Sequence, residues 1–296
     1  ARTAIRKGIK VMGIRRGYNG LINGDVFEIK ERTVSDIIQR GGTVLYTARC
    51  KEFKSDEGIN TAHDKCVELG IDGVVVLGGD GSFRGAADLS ARGIPCIGIP
   101  CTIDNDIACT EYTIGYDTAM NTVLQMIDKL RDTSQSHDRC SIVEVMGRNS
   151  GYIAVSTGIA CGAVEIITSE LAYDIDLISE KMREMQKKEK QHFIIVVSEG
   201  VGRSADIARE ISEKTGIDTR ATILGHVQRG GSPTVKDRVT ASMMGHFAVE
   251  LLEQGIGNRV IGLRDEKLLH FDIQEALSME KPFITDVYKI AMELAL

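Results

Sequence analysis

Several features that mark common protein classes are missing from this sequence. There is no tryptophan, and four prolines against 31 glycines favour many tight turns over disordered linkers. No apolar run reaches the ~18 residues that a membrane span needs, and no G-x-x-x-x-G-K-[ST] motif indicates a P-loop. The net charge of −6 disfavours nucleic acid as a partner. With 43% hydrophobic and 26% charged residues, we expect a soluble globular protein.

The cysteines form no Cys-x-x-Cys pair and have no spacing typical of a zinc site. An odd number of scattered thiols is typical of reduced cysteines, so we expect a cytoplasmic protein. The positions are Cys50, Cys66, Cys96, Cys101, Cys109, Cys140 and Cys161.

From residue 70 onward, strand-like and helix-like segments alternate. The hydrophobic pattern predicts strands at 73–77, 94–99, 141–146, 165–168, 193–197 and 221–227. It predicts helices at about 83–92, 116–131, 150–161, 174–189, 204–215 and 236–254, with Gly216 ending the fifth of them. This alternation indicates parallel sheets with crossover helices, and therefore a doubly wound α/β fold.

Residues 78–82 read Gly-Gly-Asp-Gly-Ser and directly follow the apolar run 74–77. Glycines in such a turn let backbone N–H groups approach an anion, and Asp80 beside them can hold a divalent metal. A plain tight turn accounts for this motif equally well when it is taken alone.

A second polar loop, Thr-Ile-Asp-Asn-Asp at 102–106, follows the strand-like stretch 97–100. Two carboxylates and a hydroxyl at the end of a strand suit a general base with a metal or phosphate partner. A solvated loop is the alternative for this segment alone. Together the two loops indicate phosphoryl transfer.

Six blocks of the sequence occur in the order and spacing of one known family. They are GGDGS at 78–82, PCTIDND at 100–106, GYDTAMNT at 115–122, VEVMGRNSGY at 143–152, VSEG at 197–200 and GHVQRGGSPT at 225–234. From about residue 8 to residue 280 the chain resembles the ATP-dependent 6-phosphofructokinases of the bacterial type. The resemblance implies two similar Rossmann-like doubly wound lobes, with the active site between them, assembled as a homotetramer. It implies a nucleotide-binding lobe of residues 1–115 and about 228–277, and a sugar-phosphate-binding lobe of 116–227 and about 278–296.

By this resemblance the chain transfers a phosphoryl group from MgATP to the 1-hydroxyl of D-fructose 6-phosphate. Asp104 would be the general base, Thr102 would contact the transferred group and Arg148 would stabilise its charge. Asp80 would bind Mg²⁺, and the nucleotide would contact Arg49, Cys50, Gly79, Asp80, Gly81 and Ser82. The sugar phosphate would contact Thr102, Ile103, Asp104, Arg139, Met146, Gly147, Arg148, Glu199, Arg220, His226, Val227, Gln228 and Arg229.

The arginines fall into two groups by their position relative to the predicted strands. Arg148 and Arg229 follow strands, where ligands bind in open α/β sheets, whereas Arg139 and Arg220 precede the same strands. If the latter two bind substrate, we expect them to reach the site of a neighbouring subunit, as the resemblance implies for the sugar 6-phosphate. The alternative is that all four only occupy exposed strand ends.

A second anion site is implied by the bacterial relatives, whose effectors ADP or phosphoenolpyruvate bind at a subunit interface. From the residues alone, the lysines in the charged stretch 187–190 are more typical of a solvated helix face. The matching positions are Arg2, Arg131, Lys188, Lys190 and His192.

Two positions bear on the phosphoryl donor. Pyrophosphate-dependent relatives carry Asp in place of Gly81 and Lys in place of Cys101, and Gly81 leaves room for an α-phosphate, so ATP is favoured. Cys101 places a thiol beside the catalytic loop; if it faces the path of the phosphoryl group, we expect activity to be sensitive to alkylating agents, since nearby Mg²⁺ and arginines could lower its pKa. The open alternatives are a pyrophosphate-dependent fructose 6-phosphate phosphotransferase and a catalytically silent regulatory subunit.

The start of the chain differs from the family pattern. The family opens with a strand and a Gly-Gly-Asp loop over the nucleotide phosphates, and Ala1 and Arg2 would correspond to the helix after that loop. We therefore expect a longer polypeptide in which this strand and loop precede residue 1. Without them the nucleotide-binding lobe would contain unpaired strand edges.

Overall fold

The computed structural model describes residues 1–295, in which the chain divides into two compact units. Unit 1 comprises Ala1–Thr102, Ile107–Gly115 and Gly231–Lys281. Unit 2 comprises Ile103–Asp106, Tyr116–Gly230 and the chain from Pro282 onward. The two carboxylates of the second polar loop therefore belong to unit 2, whereas Thr102 before them belongs to unit 1.

Helices and strands alternate along most of the two units. The helices are α1 (Arg2–Arg6), α2 (Tyr18–Asn23), α3 (Asp56–Glu68), α4 (Asp80–Ser90), α5 (Tyr116–Ser136), α6 (Tyr152–Cys161), α7 (Ile175–Lys187), α8 (Ser204–Thr215), α9 (Val235–Glu253), α10 (Ile273–Ser278) and α11 (Thr285–Glu293). The strands are β1 (Val11–Ile14), β2 (Val26–Ile29), β3 (Val74–Gly78), β4 (Cys96–Pro100), β5 (Cys140–Val145), β6 (Glu165–Ile167), β7 (Phe193–Ser198), β8 (Thr219–Ile223), β9 (Arg259–Arg264) and β10 (Lys267–Asp272).

The sheet of unit 2 is parallel throughout, with strand order β6-β7-β5-β8. Every residue of β7 is buried, because its continuous apolar run is covered on both faces of the sheet. Ile178 and Met182 of α7, with Ile207 of α8, pack in the same core cluster as Phe193. Because all four strands are parallel, their carboxyl ends meet at one edge, where ligands bind in such folds. The predicted doubly wound α/β fold is confirmed here.

The main sheet of unit 1 is mixed, with strand order β10-β9-β4-β3. β3, β4 and β9 are parallel, but β10 pairs antiparallel with β9, and β1 and β2 form a separate antiparallel sheet. The sequence pattern assigned none of these three antiparallel strands, and the strands that it did assign in this sheet, β3 and β4, are parallel as predicted. β3 lies at the sheet edge, and its Val75 and Leu77 are 37% and 58% exposed.

The sequence placed most helices and strands of residues 70–254 within a few residues of their observed bounds. Gly216, at φ +75°, ends α8 as predicted. The strand predicted at 221–227 exists, but its bounds were wrong, because β8 runs from Thr219 to Ile223. Gly225, at φ +53°, begins a 3₁₀ turn, Gly225–Gln228. Arg220 consequently lies inside β8 and does not precede it. Within residues 1–295, none of the helices has the length and apolar character that a membrane crossing needs.

Candidate active site

In unit 1 the ends of two adjacent parallel strands bring the two polar loops together. Gly78 at the end of β3 pairs with Pro100 at the end of β4, and the Cys101 N–H donates to the Gly78 carbonyl at 2.8 Å. A Cβ added to Gly79 would lie 3.9 Å from the Cβ of Thr102. The strand register therefore places Thr102 beside the Gly-Gly-Asp-Gly-Ser turn.

This turn leads directly into α4, whose first residue is Asp80. The N–H groups at a helix N-terminus and the positive end of the helix dipole favour phosphate binding. Apart from its chain neighbours and the backbone of its own helix, no described heavy atom lies within 4 Å of a Cβ built at Gly81, so the space beside this glycine is open. The structure therefore offers room beside Gly81 for a phosphate.

The predicted metal ligand, Asp80, is paired with Arg84 one turn along α4. The Arg84 Nε and Nη2 atoms donate to the two carboxylate oxygens of Asp80 at 2.9 and 3.1 Å. Among residues 1–295 no group of three or more His, Cys, Asp or Glu side chains is arranged to hold a metal. Mg²⁺ is commonly held by one or two carboxylates together with substrate phosphates and water. A single carboxylate at an anion-binding helix end fits that mode of binding, once Arg84 releases an oxygen.

Sequence reasoning missed an aromatic pair beside this turn. The rings of Tyr18 and Phe53 stack with centroids 3.9 Å apart at 16°, and the Tyr18 hydroxyl donates to the Ser82 carbonyl at 2.6 Å. Phe53 belongs to a buried hydrophobic cluster of unit 1, and Cys50, a predicted nucleotide contact, packs against that cluster. Arg49, next to Cys50, is exposed. Phe53 is only 6% exposed and Tyr18 packs against the same core, so the pair is part of the packing that supports the start of α4. No local motif marks either of them.

In unit 2 one guanidinium joins the two carboxylates of the second polar loop. Arg148 Nε lies 3.2 Å from Asp104 Oδ2, and Arg148 Nη1 lies 3.7 Å from Asp106 Oδ2. The Asp104 side chain is only 8% exposed, whereas that of Arg148 is 70% exposed. The predicted base and the predicted charge-stabilising residue are therefore in contact, with the cation on the solvent side.

Glu199 holds the backbone turn that carries Arg148. Its Oε1 accepts hydrogen bonds from the N–H groups of Gly147 at 3.1 Å and of Arg148 at 2.7 Å. Gly147 has φ +137°, and a Cβ there would lie 2.4 Å from the Ser150 carbonyl oxygen, so glycine is required. Glu199, predicted to bind sugar hydroxyls, therefore also orients the turn from which Arg148 reaches Asp104.

Gln228 connects the end of β5 to the Gly225–Gln228 turn by two side-chain hydrogen bonds. Its side chain is buried, accepts from the Met146 N–H at 3.0 Å and donates to the Gly225 carbonyl at 3.0 Å. The amide thus ties the end of β5 to the Gly225–Gln228 turn. The remaining sugar-pocket candidates on and after this turn are exposed: His226, Val227 and Arg229.

Arg139 and Arg220 lie near the amino ends of the unit 2 strands, opposite the carboxyl ends that carry Arg148. Both pair with Asp218, at 2.5 and 3.2 Å, and their hydrogen bonds and charges lower the pKa of that carboxyl. Arg139 precedes β5 and Arg148 follows it, and six residues of strand rise about 20 Å. The structure therefore separates these predicted substrate residues within one chain.

Three of the five predicted effector residues come together in unit 2. Burial and the Arg131 charge lower the pKa of Lys190, and burial with the charges of Lys190 and Arg131 lowers that of His192. Arg131 also donates to the Cys161 carbonyl. Lys188 is exposed at the end of α7, and Arg2 lies in α1 of unit 1. The cluster of Arg131, Lys190 and His192 is a concentration of positive charge suited to an anion.

Cys101 is half-buried, and burial, with a smaller contribution from the charge of Asp237, raises the pKa of its thiol to about 12. Burial thus opposes the lowering of this pKa that Mg²⁺ and arginines could cause. The reason is that packing against the end of β4 removes water from the sulfur, which disfavours the thiolate.

Comparison with known proteins identifies the group to which these features belong. The sequence profile of the phosphofructokinase family matches residues 1–252. The chain belongs to the phosphofructokinase family. It is 55% identical over 294 residues to the ATP-dependent 6-phosphofructokinase of Clostridium tetani, covering 99% of this chain and 92% of that protein. The Clostridium botulinum protein of the same name is 54% identical with the same coverage.

Solved structures of phosphofructokinases share the fold. The Saccharomyces cerevisiae phosphofructokinase has a TM-score of 0.89 at 31% identity, covering 99% of this chain but only 44% of the yeast chain. A pyrophosphate-dependent phosphofructokinase from Marinobacter aquaeolei has a TM-score of 0.84 at 20% identity, covering 99% of this chain and 85% of that one. At 20% identity, the similarity to the Marinobacter aquaeolei structure shows a shared fold alone.

Proposed function

We propose that the chain is an ATP-dependent 6-phosphofructokinase, which converts ATP and D-fructose 6-phosphate to ADP and D-fructose 1,6-bisphosphate, the committed step of glycolysis. The observation that carries the proposal is the contact of Arg148 with Asp104, which lies two residues after Thr102 in the second polar loop. The 55% identity to a protein of that name supports it.

In the reaction, Asp104 accepts the proton of the sugar 1-hydroxyl as that oxygen attacks the γ-phosphorus. The bond between the γ-phosphorus and the bridging oxygen breaks, and ADP leaves with that electron pair. Arg148 is exposed and supplies positive charge to the moving phosphoryl group, and Thr102 hydrogen-bonds to it. Asp80 would hold Mg²⁺, which when bound neutralises charge on the phosphate oxygens.

The donor is ATP in this proposal because of the open space beside Gly81. A Cβ built at Gly81 meets no heavy atom within 4 Å apart from its own helix and chain neighbours, whereas a carboxylate at this position would repel a phosphate. The alternative of a pyrophosphate-dependent enzyme has support only from neighbours that share the fold at 20% identity.

Arg139 and Arg220 are proposed to bind the 6-phosphate of sugar held mainly by a second subunit. The support is their place at the edge of the sheet opposite Arg148, with both guanidinium groups gathered on Asp218. A planar guanidinium grips phosphate bidentately, so two of them make a strong phosphate site. The proposed assembly is a homotetramer with active sites shared between subunits.

Regulation by ADP or phosphoenolpyruvate is proposed at the cluster of Arg131, Lys190 and His192. The lowered pKa values of Lys190 and His192 support it, because burial is their main cause and mutual repulsion among the three cations adds to it, and a bound anion would relieve that repulsion. A cytoplasmic location is proposed from the sequence pattern of the cysteines.

The function is tested by offering the purified protein fructose 6-phosphate with MgATP or with magnesium pyrophosphate. We expect bisphosphate only with MgATP. Asp104→Asn should lower kcat by about 10²–10⁴-fold with little change in the KM for the sugar, because the base is lost. Asp106→Asn, which removes the more distant of the two Arg148 partners, is the matched control and should cost less. Product from pyrophosphate alone, or from neither donor, would reject the proposal.

The shared site is tested with Arg139→Ser and Arg220→Ser. Each should raise the KM for fructose 6-phosphate roughly tenfold or more while that for ATP changes little. Arg209→Ser, which removes an exposed arginine paired only with the neighbouring Asp206, should change neither. Oligomers mixed from Asp104→Asn and Arg139→Ser chains should recover activity, because some sites draw intact residues from each chain. Proven mixing without recovery would exclude sharing.

The effector site is tested by the NMR titration of His192. Its lowered pKa means that the ring is held neutral to lower pH than usual, so an anion that neutralises Lys190 and Arg131 should raise that pKa. ADP or phosphoenolpyruvate should produce this shift and should bind more tightly as pH falls, whereas adenosine should not. The ring signals of His63, in α3 of unit 1, serve as the control. An unchanged His192 titration at saturating concentrations of both anions would contradict the proposal.

A further inference from the structure

The first residues of α9 contain a buried carboxylate that the reaction does not use. Asp237 is 2% exposed and belongs to unit 1. A carboxylate so deeply buried is costly unless other groups donate hydrogen bonds to it. The groups that donate hydrogen bonds to Asp237 therefore indicate its structural role.

The partners lie far along the chain, in the segment that follows the catalytic loop. The Gly115 N–H donates to Asp237 Oδ1 at 2.6 Å, and the Tyr112 hydroxyl donates to the same oxygen. Gly115 has φ +102° and is the last residue of unit 1 before the chain enters α5. Asp237 thus fixes the point at which the chain leaves unit 1.

A role in helix capping alone does not explain this arrangement. Thr234 is the N-cap of α9, and its hydroxyl accepts from the Asp237 backbone N–H at 3.3 Å. That bond uses only the backbone of Asp237, and any residue other than proline could make it. The side chain instead binds Tyr112 and Gly115.

The segment held by Asp237 also holds Thr102. The Thr113 hydroxyl, between Tyr112 and Gly115, donates to the Thr102 carbonyl at 2.7 Å. The backbone of Cys101, which precedes Thr102, pairs with that of Ile114 in an isolated parallel β-bridge. Any shift of residues 112–115 is therefore passed to the backbone of the residue proposed to contact the transferred phosphoryl group.

We propose that Asp237 is a positioning residue for phosphoryl transfer, holding residues 112–115 and, through Thr113, the backbone of Thr102. The inference rests on the proposed function for its catalytic consequence. Its structural part, the immobilisation of Thr102 by a carboxylate on α9, is separate from the identity of the substrates.

The test uses the full chain with Asp237→Asn, which keeps an acceptor oxygen but removes the charge that strengthens both hydrogen bonds. Misplacement of a reacting group by a fraction of an ångström should lower kcat by about tenfold, with the KM for ATP and for fructose 6-phosphate within about twofold of the parent. Hydrogen exchange in a peptide covering residues 101–106 should become faster. Tyr112→Phe, which removes one hydroxyl and keeps the ring, should lower kcat about threefold.

The matched control is Leu251→Ala, a buried position on the same helix. It should lower Tm without lowering kcat or speeding exchange in the 101–106 peptide. If Leu251→Ala and Asp237→Asn lower kcat alike at a similar loss of Tm, or if Asp237→Asn keeps full kcat or changes only KM, the inference is wrong. If Asp237→Asn does not fold, Tyr112→Phe decides the question, and full kcat in that variant rejects the inference.

Failure of the proposed function would look different. The parent protein would then form no bisphosphate, while exchange in the 101–106 peptide would still respond to Asp237→Asn. Unchanged exchange in that variant, together with an active parent, would reject the positioning role alone.

Discussion

The contact between Arg148 and the carboxylates of Asp104 and Asp106 is the interaction on which the chemistry of this structure depends. Asp104 is nearly buried, and a carboxylate in such a place is costly unless a cation or hydrogen-bond donors accompany it. Arg148 meets this need from the solvent side. Its own position is set in turn by Glu199, which holds the strained turn at Gly147.

Sheet geometry explains why the candidate residues divide as they do. In unit 2 the parallel strands bring Arg148, Glu199 and the Gly225–Gln228 turn to the carboxyl edge, and leave Arg139 and Arg220 at the other. In unit 1 the ends of β3 and β4 bring Thr102 beside the Gly-Gly-Asp-Gly-Ser turn before α4. The hydroxyl and the carboxylates of the second polar loop thus belong to different units.

Local sequence patterns predicted the parts of the fold that depend on neighbouring residues. The continuous apolar runs of β4 and β7 and the glycine after α8 were sufficient, because burial on both faces and a left-handed helix end are local requirements. The end of β8 was missed because apolar residues continue beyond Ile223 although Gly225 turns the backbone.

Other features required the tertiary structure. The stacking of Tyr18 on Phe53 and the binding of Gly115 by Asp237 join residues that are distant in sequence, and of these four only Gly115 lies in one of the six sequence blocks. The burial that raises the pKa of the Cys101 thiol is likewise a property of packing. The resemblance to a family named most candidate site residues, but it could not show that Glu199 and Gln228 also support the turns beside them.

The most direct test of this account is a double-mutant cycle on kcat/KM with Asp104→Asn, Arg148→Gln and the double variant. Because each single change leaves the other group without its partner, the double variant should lose at least tenfold less activity than the product of the two single losses. Asp104→Asn combined with Arg209→Ser, whose exposed guanidinium pairs with Asp206, should show no such coupling. Single losses for Asp104 and Arg148 that multiply to within about twofold would show that the two residues act independently, and would contradict the account.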